Sequence, residues 1–433
     1  MRKSVLLVLA LTLAAWGCRG DRGQAPAQAG KADPGRPKAA AFVTAKDGRF
    51  SLDGRPYYFV GANFWQGMNL GVDGPRGDRP RLLRELDRLR GLGVTNLRVM
   101  ASSEGPNTEP YRIVPALMTS PGEYDGSVLD GLDFLLAEMG KRGMRAVMVL
   151  NNFWQWSGGM AQYVSWREQT PIPYPGDYEK FIAYAAKFYS YPECQDWYRD
   201  HIAMLVDRTN PYTGLKYRDD PAVFSWELGN EPRRYPQTWI DETAAYIKSL
   251  DPNHMVTTGS EGAPPGEPRQ DFVKTHSAPG IDYVTIHIWP QNWDWYDPKR
   301  PATYKTTAEP RAMAYFRKLA DETRAMGKPL VLEEFGLARD WATKRNNLDP
   351  ASTTVNRDLY YAALYKLVLD SIASGGPAAG DNFWAWAGEA RPGMSWVGDP
   401  PHEPAGWYSV YDADASTLAL IADHAKKIAE LAK

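Results

Sequence analysis

The chain has 433 residues, and 50 Lys and Arg balance 52 Asp and Glu to give a formal net charge of -2. This balance provides no basic surface of the kind that binds nucleic acid, so a neutral ligand is easier to accommodate. Sixteen Trp and 24 Tyr residues are many for this length, and flat aromatic faces stack on the apolar C–H faces of sugar rings.

The first element in chain order is an export signal. The chain begins Met-Arg-Lys, and an apolar run from Val5 to Trp16 follows. A basic start and an apolar run of about ten residues predict a secretory signal that is too short to span a bilayer. Cys18, preceded by a small residue, is similar to the lipidated cysteine of a bacterial lipobox, although Trp16 stands where a small residue is commoner. We predict a lipoprotein signal peptide over residues 1–17, and cleavage by ordinary signal peptidase is the alternative.

A flexible tether is predicted to follow the signal. Residues 18–41 contain no large apolar residue and cannot bury a core. Residues 42–433 show no comparable linker, so we expect one folded domain there. Lipidation of Cys18 would anchor this domain to a membrane without spanning it. Cys194 would then have no disulfide partner, and we expect it to be a small buried side chain.

Short apolar runs alternate with helical patterns through the predicted domain. Eight strands alternating with helices predict an α/β fold, a closed (β/α)8 TIM barrel. An open doubly wound sheet is the competitor, but Gly61-Ala-Asn-Phe-Trp65 is not a dinucleotide-binding fingerprint. The predicted strands are Tyr58–Ala62, Thr95–Met100, Arg145–Leu150, Val223–Leu228, Met255–Gly259, Tyr283–Ile288, Pro329–Glu334 and Asn382–Trp386. The predicted helices are Arg79–Leu92, Ser127–Arg142, Asp196–Asp207, Gln237–Leu250, Ala308–Met326, Thr353–Ser374 and Ser416–Ala432.

The segment between the third and fourth predicted strands, Asn151–Asp220, is long and rich in Trp, Tyr and Pro. Loops that follow barrel strands build the active site at the carboxyl end of the barrel. We therefore expect this segment to form a wall of the substrate cleft.

Two carboxyl groups stand where strand-like runs end. Glu231 is followed by Pro232, and Glu334 lies two residues before Gly336. Hydrolysis of a glycosidic bond needs one protonated carboxyl group to assist the leaving oxygen and one ionised carboxylate to attack the anomeric carbon. Glu231 and Glu334 are the candidates for these two roles.

The motifs around both residues resemble those of glycoside hydrolase family 5, and within it the endo-β-1,4-mannanases. Trp226-Glu-Leu-Gly-Asn-Glu-Pro-Arg233 is similar to the fourth-strand signature, and Leu332-Glu-Glu-Phe-Gly336 to the seventh. The resemblance covers residues 42 to the C-terminus. It implies Glu231 as acid/base, Asn230 as a partner of the sugar 2-hydroxyl and Glu334 as nucleophile. Glu333 is expected to face away from the site, because side chains alternate along a strand.

The resemblance also implies partners for the nucleophile. Arg98 matches a second-strand Arg that hydrogen-bonds it, and a positive group there would keep Glu334 ionised. His287 matches a sixth-strand His beside the site. Two residues later this chain has Trp289 where the family commonly has a Tyr whose hydroxyl donates to the nucleophile. An indole N–H can also donate, so activity is compatible with this difference.

Aromatic residues complete the implied binding site. Trp384 matches the eighth-strand Trp that forms the floor under the cleaved sugar. Trp386 is expected to face the other way and to pack inside the protein. Asn151–Trp166 resembles a third-strand loop of mannanases rather than cellulases. In that loop we expect Asn152 to bind substrate and Trp154 to act as a sugar platform. Further candidate platforms are Trp65, as a weaker one, and Trp293 and Trp295 on the reducing side.

The resemblance implies endo-acting, retaining hydrolysis of β-1,4-mannosidic bonds in mannan, glucomannan or galactomannan. Two enzymatic alternatives are a β-1,4-glucanase and an exo-acting mannosidase or mannobiohydrolase. A non-catalytic polysaccharide-binding surface lipoprotein is the alternative from another class. We expect no cofactor and no metal, because the histidines lack ligand spacing such as His-Glu-x-x-His. A monomer at the cell envelope is expected.

Overall fold

Eight parallel strands surround the centre of the protein. The structure is a computed structural model that describes residues 41–433 except 175, 177, 267–270 and 343–345. The predicted signal peptide, Cys18 and all but the last residue of the tether lie outside the described residues. The barrel strands, which we number β1 to β8, are Phe59–Asn63, Asn96–Met100, Arg145–Val149, Val223–Glu227, Met255–Thr257, Val284–Ile288, Leu330–Phe335 and Ala378–Phe383.

Hydrogen bonds close these strands into the predicted (β/α)8 barrel. The paired order runs β5-β4-β3-β2-β1-β8-β7-β6, with every neighbouring pair parallel. Backbone hydrogen bonds also join the two ends of this order: Asp282 N donates to Val256 O at 2.8 Å, and His287 N donates to Glu261 O at 3.1 Å. The predicted fold class is confirmed.

Helices pack around the barrel. Three of them begin at an aspartate whose side chain accepts a backbone N–H and so satisfies a free donor of the first turn: Asp78 from Arg81, Asp125 from Ser127 and Asp271 from Lys274. No helix among the described residues is both long and apolar enough to cross a bilayer. The α-helices are Gly67–Leu70, Arg79–Gly91, Gly126–Lys141, Gly159–Glu168, Tyr178–Ala185, Pro192–Asp207, Gln237–Leu250, Phe272–His276, Glu309–Met326, Val355–Ala373 and Ala415–Leu431.

A three-stranded meander, Thr44–Lys46, Arg49–Leu52 and Arg55–Pro56, packs at the amino end of the barrel. Phe50 is buried there, with its ring edge-on to Phe224 at 5.3 Å and to Tyr283 at 5.4 Å. This aromatic cluster fills the amino end of the barrel. The loops at the opposite, carboxyl end of the barrel form a cleft.

The eighth strand differs from the prediction. It covers Ala378–Phe383 rather than Asn382–Trp386, while the other seven strands agree to within two residues. A Cβ on Gly380 would lie 2.5 Å from the Phe59 ring, so close packing between β8 and β1 requires a small residue there. The sequence prediction followed the aromatic run, which begins where this small-residue strand ends.

The segment after β3 is long and helical, and it belongs to the same compact unit as the barrel. It contains the helices Gly159–Glu168, Tyr178–Ala185 and Pro192–Asp207, of which only the last was predicted. The segment contributes Trp154, Gln155, Trp156 and Tyr178 to a cleft. Cys194 is buried in its last helix, where burial raises the pKa of the thiol to about 12.

Candidate active site

A cleft of about 450 Å³ opens at the carboxyl end of the barrel, and Glu231 and Glu334 both line it. Its lining comes from the segments after β3, β4, β5 and β6, from β7 and from the segment after β8. Among the described residues, none from the segments that follow β1 and β2 lines it. The full lining is Trp154, Gln155, Trp156, Tyr178, Asn230, Glu231, Arg233, Glu261, Pro264, Pro265, Trp289, Asn292, Trp293, Glu334, Trp384, Pro400, His402, Glu403 and Trp407.

The two candidate carboxyl groups face each other across this cleft. One carboxylate oxygen of Glu231 lies within 4.8 Å of one of Glu334. Glu231 has φ 48°, a left-handed backbone that is uncommon outside glycine and clusters at functional sites. A hydrogen bond from its backbone N to Gly259 O at 2.9 Å fixes this conformation. The separation suits a retaining glycosidase, in which the carboxyl groups lie roughly 5–5.5 Å apart.

Arg98 connects β2 to both candidate motifs. Its guanidinium donates through Nε and Nη2 to the Glu227 carboxylate at 2.8 and 2.6 Å, and through Nη2 to Asn230 Oδ1 at 2.8 Å. Nη1 donates to Glu334 and, at 3.1 Å, to Asn63 Oδ1. Arg98 therefore orients Glu334 and Asn230 while Glu227 neutralises much of its charge. Glu227 was not singled out by the sequence.

His287 lies between three carboxyl groups. Nδ1 is 2.8 Å from Glu231 Oε1 and 3.3 Å from Glu334 Oε2, and Nε2 is 3.4 Å from Glu333 Oε2. Burial alone would lower the pKa of His287, but the charge of Glu334 and the hydrogen bond to Glu231 outweigh it and raise the pKa to about 10. We therefore treat His287 as an imidazolium that donates to Glu231.

Glu333 does not face away from the site as predicted. It is buried beside His287, and its Oε2 lies 3.7 Å from Arg98 Nε. The register between β6 and β7 shifts after Ile286, so that His287 pairs with Glu334. This irregularity places two successive side chains against the same groups, which strict alternation along a strand would forbid.

The pKa values of the two candidate glutamates shift in opposite directions. Burial acts to raise the pKa of Glu231, but the His287 hydrogen bond lowers it to about 2. Burial raises the pKa of Glu334 to about 6 against the opposing charges of His287 and Arg98. The ionised Glu231 and the protonated His287 therefore stabilise each other across this hydrogen bond. Transfer along the 2.8 Å hydrogen bond would make Glu231 the acid and remove one positive charge beside it.

Glu231, His287 and Glu334 also lie close enough to share a metal ion. A cation bound there would compete with the His287 proton for the same carboxylate oxygens. It would also occupy the space between the two carboxyl groups, where an anomeric carbon has to lie.

Two tryptophans lie against the nucleophile candidate. The indole N–H of Trp289 donates to Glu334 Oε2 at 3.2 Å, the contact expected of the family tyrosine. Trp384 lines the cleft with its ring edge-on to Trp289 at 5.9 Å, and it forms a cis peptide bond with Ala385. Trp386 is buried and donates to Glu85 Oε2 at 3.0 Å, away from the cleft.

The loop after β3 approaches the acid/base candidate. Trp154 donates its indole N–H to Glu231 Oε2 at 2.6 Å, and the Arg233 guanidinium lies over its ring at 4.8 Å. Asn152 does not line the cleft. Its Oδ1 accepts from Trp154 N at 3.0 Å and from Asn230 Nδ2 at 3.1 Å, so it holds these two residues from behind.

Trp65 is part of a wall and not of a sugar platform. It is 3% exposed, donates its indole N–H to Gly398 O at 2.7 Å and packs edge-on against Trp156 and Trp396 at 5.8 and 6.3 Å. We call Trp65, Trp156 and Trp396 the tryptophan wall. Of the three only Trp156 lines the cleft, with Trp65 packed against it and Trp396 against Trp65. The wall bounds the cleft on the side of β1 and β2, which we call the closed end.

The opposite side, which we call the open end, is formed by the segments after β4, β5 and β6. Trp293 is half-buried and lines the cleft there, whereas Trp295 packs behind it with ring centroids 5.0 Å apart. Arg233 forms an ion pair with Glu261 at 2.5 Å, and burial raises the pKa of Glu261 to about 7. The open end is therefore polar and partly aromatic.

Several lining residues were missed from the sequence because they belong to no recurring motif. Gln155 follows a residue that was singled out, Glu261 follows β5, and His402 and Glu403 lie in the long segment after β8. Burial lowers the pKa of His402 to about 4 and raises that of Glu403 well above its ordinary value. Only their position after a barrel strand could have suggested them.

Comparisons with known proteins show which family this chain is similar to. The family model described as GH family 5 beta-mannosidase-like matches residues 40–433. Mannan endo-1,4-beta-mannosidase 7 of Arabidopsis thaliana is 32% identical over 370 residues, covering 80% of this chain and 78% of that protein. The crystal structure of a family 5 mannosidase from Rhizomucor miehei has a TM-score of 0.86 at 39% identity, covering 91% of this chain and 98% of that one. A mutant of that mannosidase in complex with mannosyl-fructose has a TM-score of 0.84 at 39% identity, covering 90% and 98%.

Proposed function

Because the chain belongs to glycoside hydrolase family 5, we propose that it hydrolyses β-1,4-mannosidic bonds of mannan-type polysaccharides by a retaining double displacement. The observation that carries this proposal is the carboxyl pair, Glu231 and Glu334, with oxygens within 4.8 Å of each other in a cleft lined by tryptophan. A separation of this size supports direct attack by a carboxylate, since an intervening water would need a wider gap.

In the first step, Glu334 attacks the anomeric carbon and the bond from that carbon to the leaving oxygen breaks. Glu231, protonated through its hydrogen bond with His287, gives the proton to the leaving oxygen. The product is a mannosyl ester of Glu334. In the second step Glu231 takes a proton from water as the water oxygen attacks the anomeric carbon, and it returns this proton to His287. The ester C–O bond breaks, and Glu334 leaves as a carboxylate.

Arg98 and Trp289 prepare the nucleophile for the first step. Both donate hydrogen bonds to Glu334, which favours its ionised form against the burial that raises its pKa. Asn230 lies beside Glu231 and lines the cleft, which supports its proposed contact with the sugar 2-hydroxyl. Trp384, on the floor of the cleft, is the proposed stacking surface for the cleaved sugar.

The mode of attack has two candidates. The names of the curated relatives and the sequence resemblance favour cleavage within chains. The tryptophan wall favours cleavage at chain ends, because a polymer can thread through a cleft only if both ends are open. The 39% identity to a protein described as a mannosidase supports the same reading. We infer that the protein acts at or near the non-reducing end of mannan chains.

The activity is tested by comparing turnover of linear mannan, galactomannan, glucomannan and cellulose, with E334Q as a matched control. We expect reducing sugar from the mannose-containing substrates, none from cellulose, and a β-anomer as first product in the proton NMR spectrum. Preferred cleavage of cellulose would favour the glucanase alternative. Binding without turnover by the wild type would favour a non-catalytic binding protein.

Localisation is a separate proposal that rests on residues 1–18. We propose export and anchoring through a lipid on Cys18, with a monomeric catalytic domain outside the membrane. Cys18→Ala should move the activity from the membrane fraction to the soluble exported fraction. Unchanged membrane association of that variant would contradict anchoring by Cys18.

A further inference from the structure

Gln155 is a buried polar side chain in the cleft that the proposed mechanism does not use. It is 1% exposed and lines the same cleft as Glu231 and Glu334. Within the described part of the chain, neither its Nε2 nor its Oε1 has a hydrogen-bond partner. Burying an amide without partners is unfavourable, so a side chain kept in this state suggests a ligand that completes its hydrogen bonds.

The position of Gln155 within the cleft is set by its two neighbours. Trp154 donates to Glu231 at 2.6 Å, and Trp156 belongs to the tryptophan wall and packs edge-on against Trp384 at 6.3 Å. Gln155 therefore lies between the acid/base candidate and the closed end. A ligand group that reaches it has to belong to the sugar on the closed side of the cleaved bond.

The turn that carries Gln155 is held rigidly. Gly158 N donates to Gln155 O at 2.9 Å, Ile113 N to Trp156 O at 3.0 Å, and Glu104 N to Ser157 O at 2.6 Å. Gly158 has φ 96°, and a Cβ there would lie 2.3 Å from Glu104 O. The backbone is thus fixed before substrate arrives, which is what a specific polar contact requires.

His402 provides a second unpaired polar group on the same side. Its ring lies parallel to Trp156 at 6.4 Å, and its Nδ1 has no partner among the described residues. Burial lowers the pKa of His402 to about 4, so it is neutral near neutral pH. Two neutral polar groups beside a wall of indole rings suit the hydroxyl groups of a sugar and not a charged ligand.

We propose that Gln155 is a specificity-determining residue that binds the free 4-hydroxyl of the non-reducing terminal mannosyl unit. The amide oxygen would accept from this hydroxyl, and the amide N–H would donate to it or to its neighbour on the ring. An internal mannosyl unit has no such hydroxyl, because its O4 carries the next sugar. This contact would let the closed end select chain ends, and it rests on the proposed function.

The test is a cycle of two enzymes and two substrates. Wild type and Q155L are assayed with 4-nitrophenyl β-mannoside and with its 4-deoxy analogue. For the wild type we expect kcat/KM to fall roughly 10- to 100-fold with the 4-deoxy substrate, because a buried amide stays unpaired. For Q155L the preference for the substrate with the 4-hydroxyl should be smaller than in the wild type by roughly tenfold or more. Comparison between enzymes cancels the intrinsic reactivity of the deoxy sugar.

Two further variants keep the test decisive. Q155A should lose the discrimination in the same way if Q155L folds poorly, and the melting temperature checks the fold of each. W293A changes the open end and should keep the wild-type discrimination. If Q155L and Q155A lose as much kcat/KM with the 4-deoxy substrate as the wild type does, while their turnover is intact, the role of Gln155 is overturned. The proposed function would not be affected by that result. Absence of wild-type turnover of any β-mannoside would overturn the proposed function and this inference together.

Discussion

The closed and open ends of the cleft use the same residue type in different ways. At the closed end Trp65 and Trp156 are each 3% exposed and pack edge-on against one another. At the open end Trp293 is half-buried and lines the cleft. A tryptophan whose faces are covered by other indoles closes a path, whereas one with a free face can stack on a sugar. Neighbours, and not residue type, decide which role a tryptophan has.

The closed and open ends of the cleft bind the two sides of one substrate only if Glu334 cleaves the glycosidic bond between them. We expect E334A to lower kcat/KM by roughly 10⁴-fold or more, because the variant lacks the carboxylate that forms the glycosyl ester. Azide should restore part of the turnover and give an α-mannosyl azide, detectable by NMR. Substantial residual activity without azide would show that Glu334 is not the nucleophile.

The hydrogen bond from Trp289 to Glu334 is expected to have the next largest effect. W289F keeps the aromatic packing but removes the donor, and we expect kcat to fall roughly 10- to 100-fold. W289Y should recover part of this loss if its hydroxyl reaches Glu334. Wild-type kcat in W289F would mean that the contact at 3.2 Å does not serve the reaction.

Opening the closed end should change the products more than the rate. W156A removes a lining ring, and we expect a roughly tenfold loss of kcat/KM on mannobiose together with new internal cleavage of mannohexaose. W396A is the matched control, because Trp396 belongs to the tryptophan wall but does not line this cleft. Its products should be those of the wild type. If W156A still releases only end products, the wall does not set the mode of attack.

Removal of a platform at the open end should affect binding of long substrates only. We expect W293A to raise KM for mannohexaose about fivefold, through loss of ring stacking. Hydrolysis of 4-nitrophenyl β-mannoside should not change, because its leaving group does not extend far into the open end. An equal effect on both substrates would place Trp293 nearer the cleaved bond than proposed.

The smallest expected effect is on pH dependence. Glu334 has to be ionised to attack, so kcat/KM should rise as pH increases through about 6, the pKa to which burial raises this group. The charge of Glu333 also raises this pKa, so E333Q should move the acid limb to lower pH by less than about one unit. E85Q, which changes a buried carboxyl group away from the cleft, should leave the limb unchanged. A limb that moves to higher pH in E333Q would contradict this account.

The sequence was sufficient for the barrel and for the neighbourhood of the carboxyl pair, because these depend on strand periodicity and on residues at strand ends. It failed at Glu333, where a register shift between β6 and β7 breaks the alternation that the prediction assumed. It also failed at Trp65, because an isolated tryptophan in a sequence carries no information about which rings will cover it. Gln155 and His402 could not be predicted, since their environment is created by loops far apart in the chain.

Cleavage at chain ends is tested most directly by the first products from mannohexaose whose reducing end has been converted to the alditol. The wild-type enzyme should release free mannose and the alditol of mannopentaose from the earliest time points, and shorter alditols only afterwards. Early and simultaneous appearance of mannobiose, mannotriose and the matching short alditols would contradict a cleft that is open at one end only. It would then favour endo-acting hydrolysis by the same pair, Glu231 and Glu334.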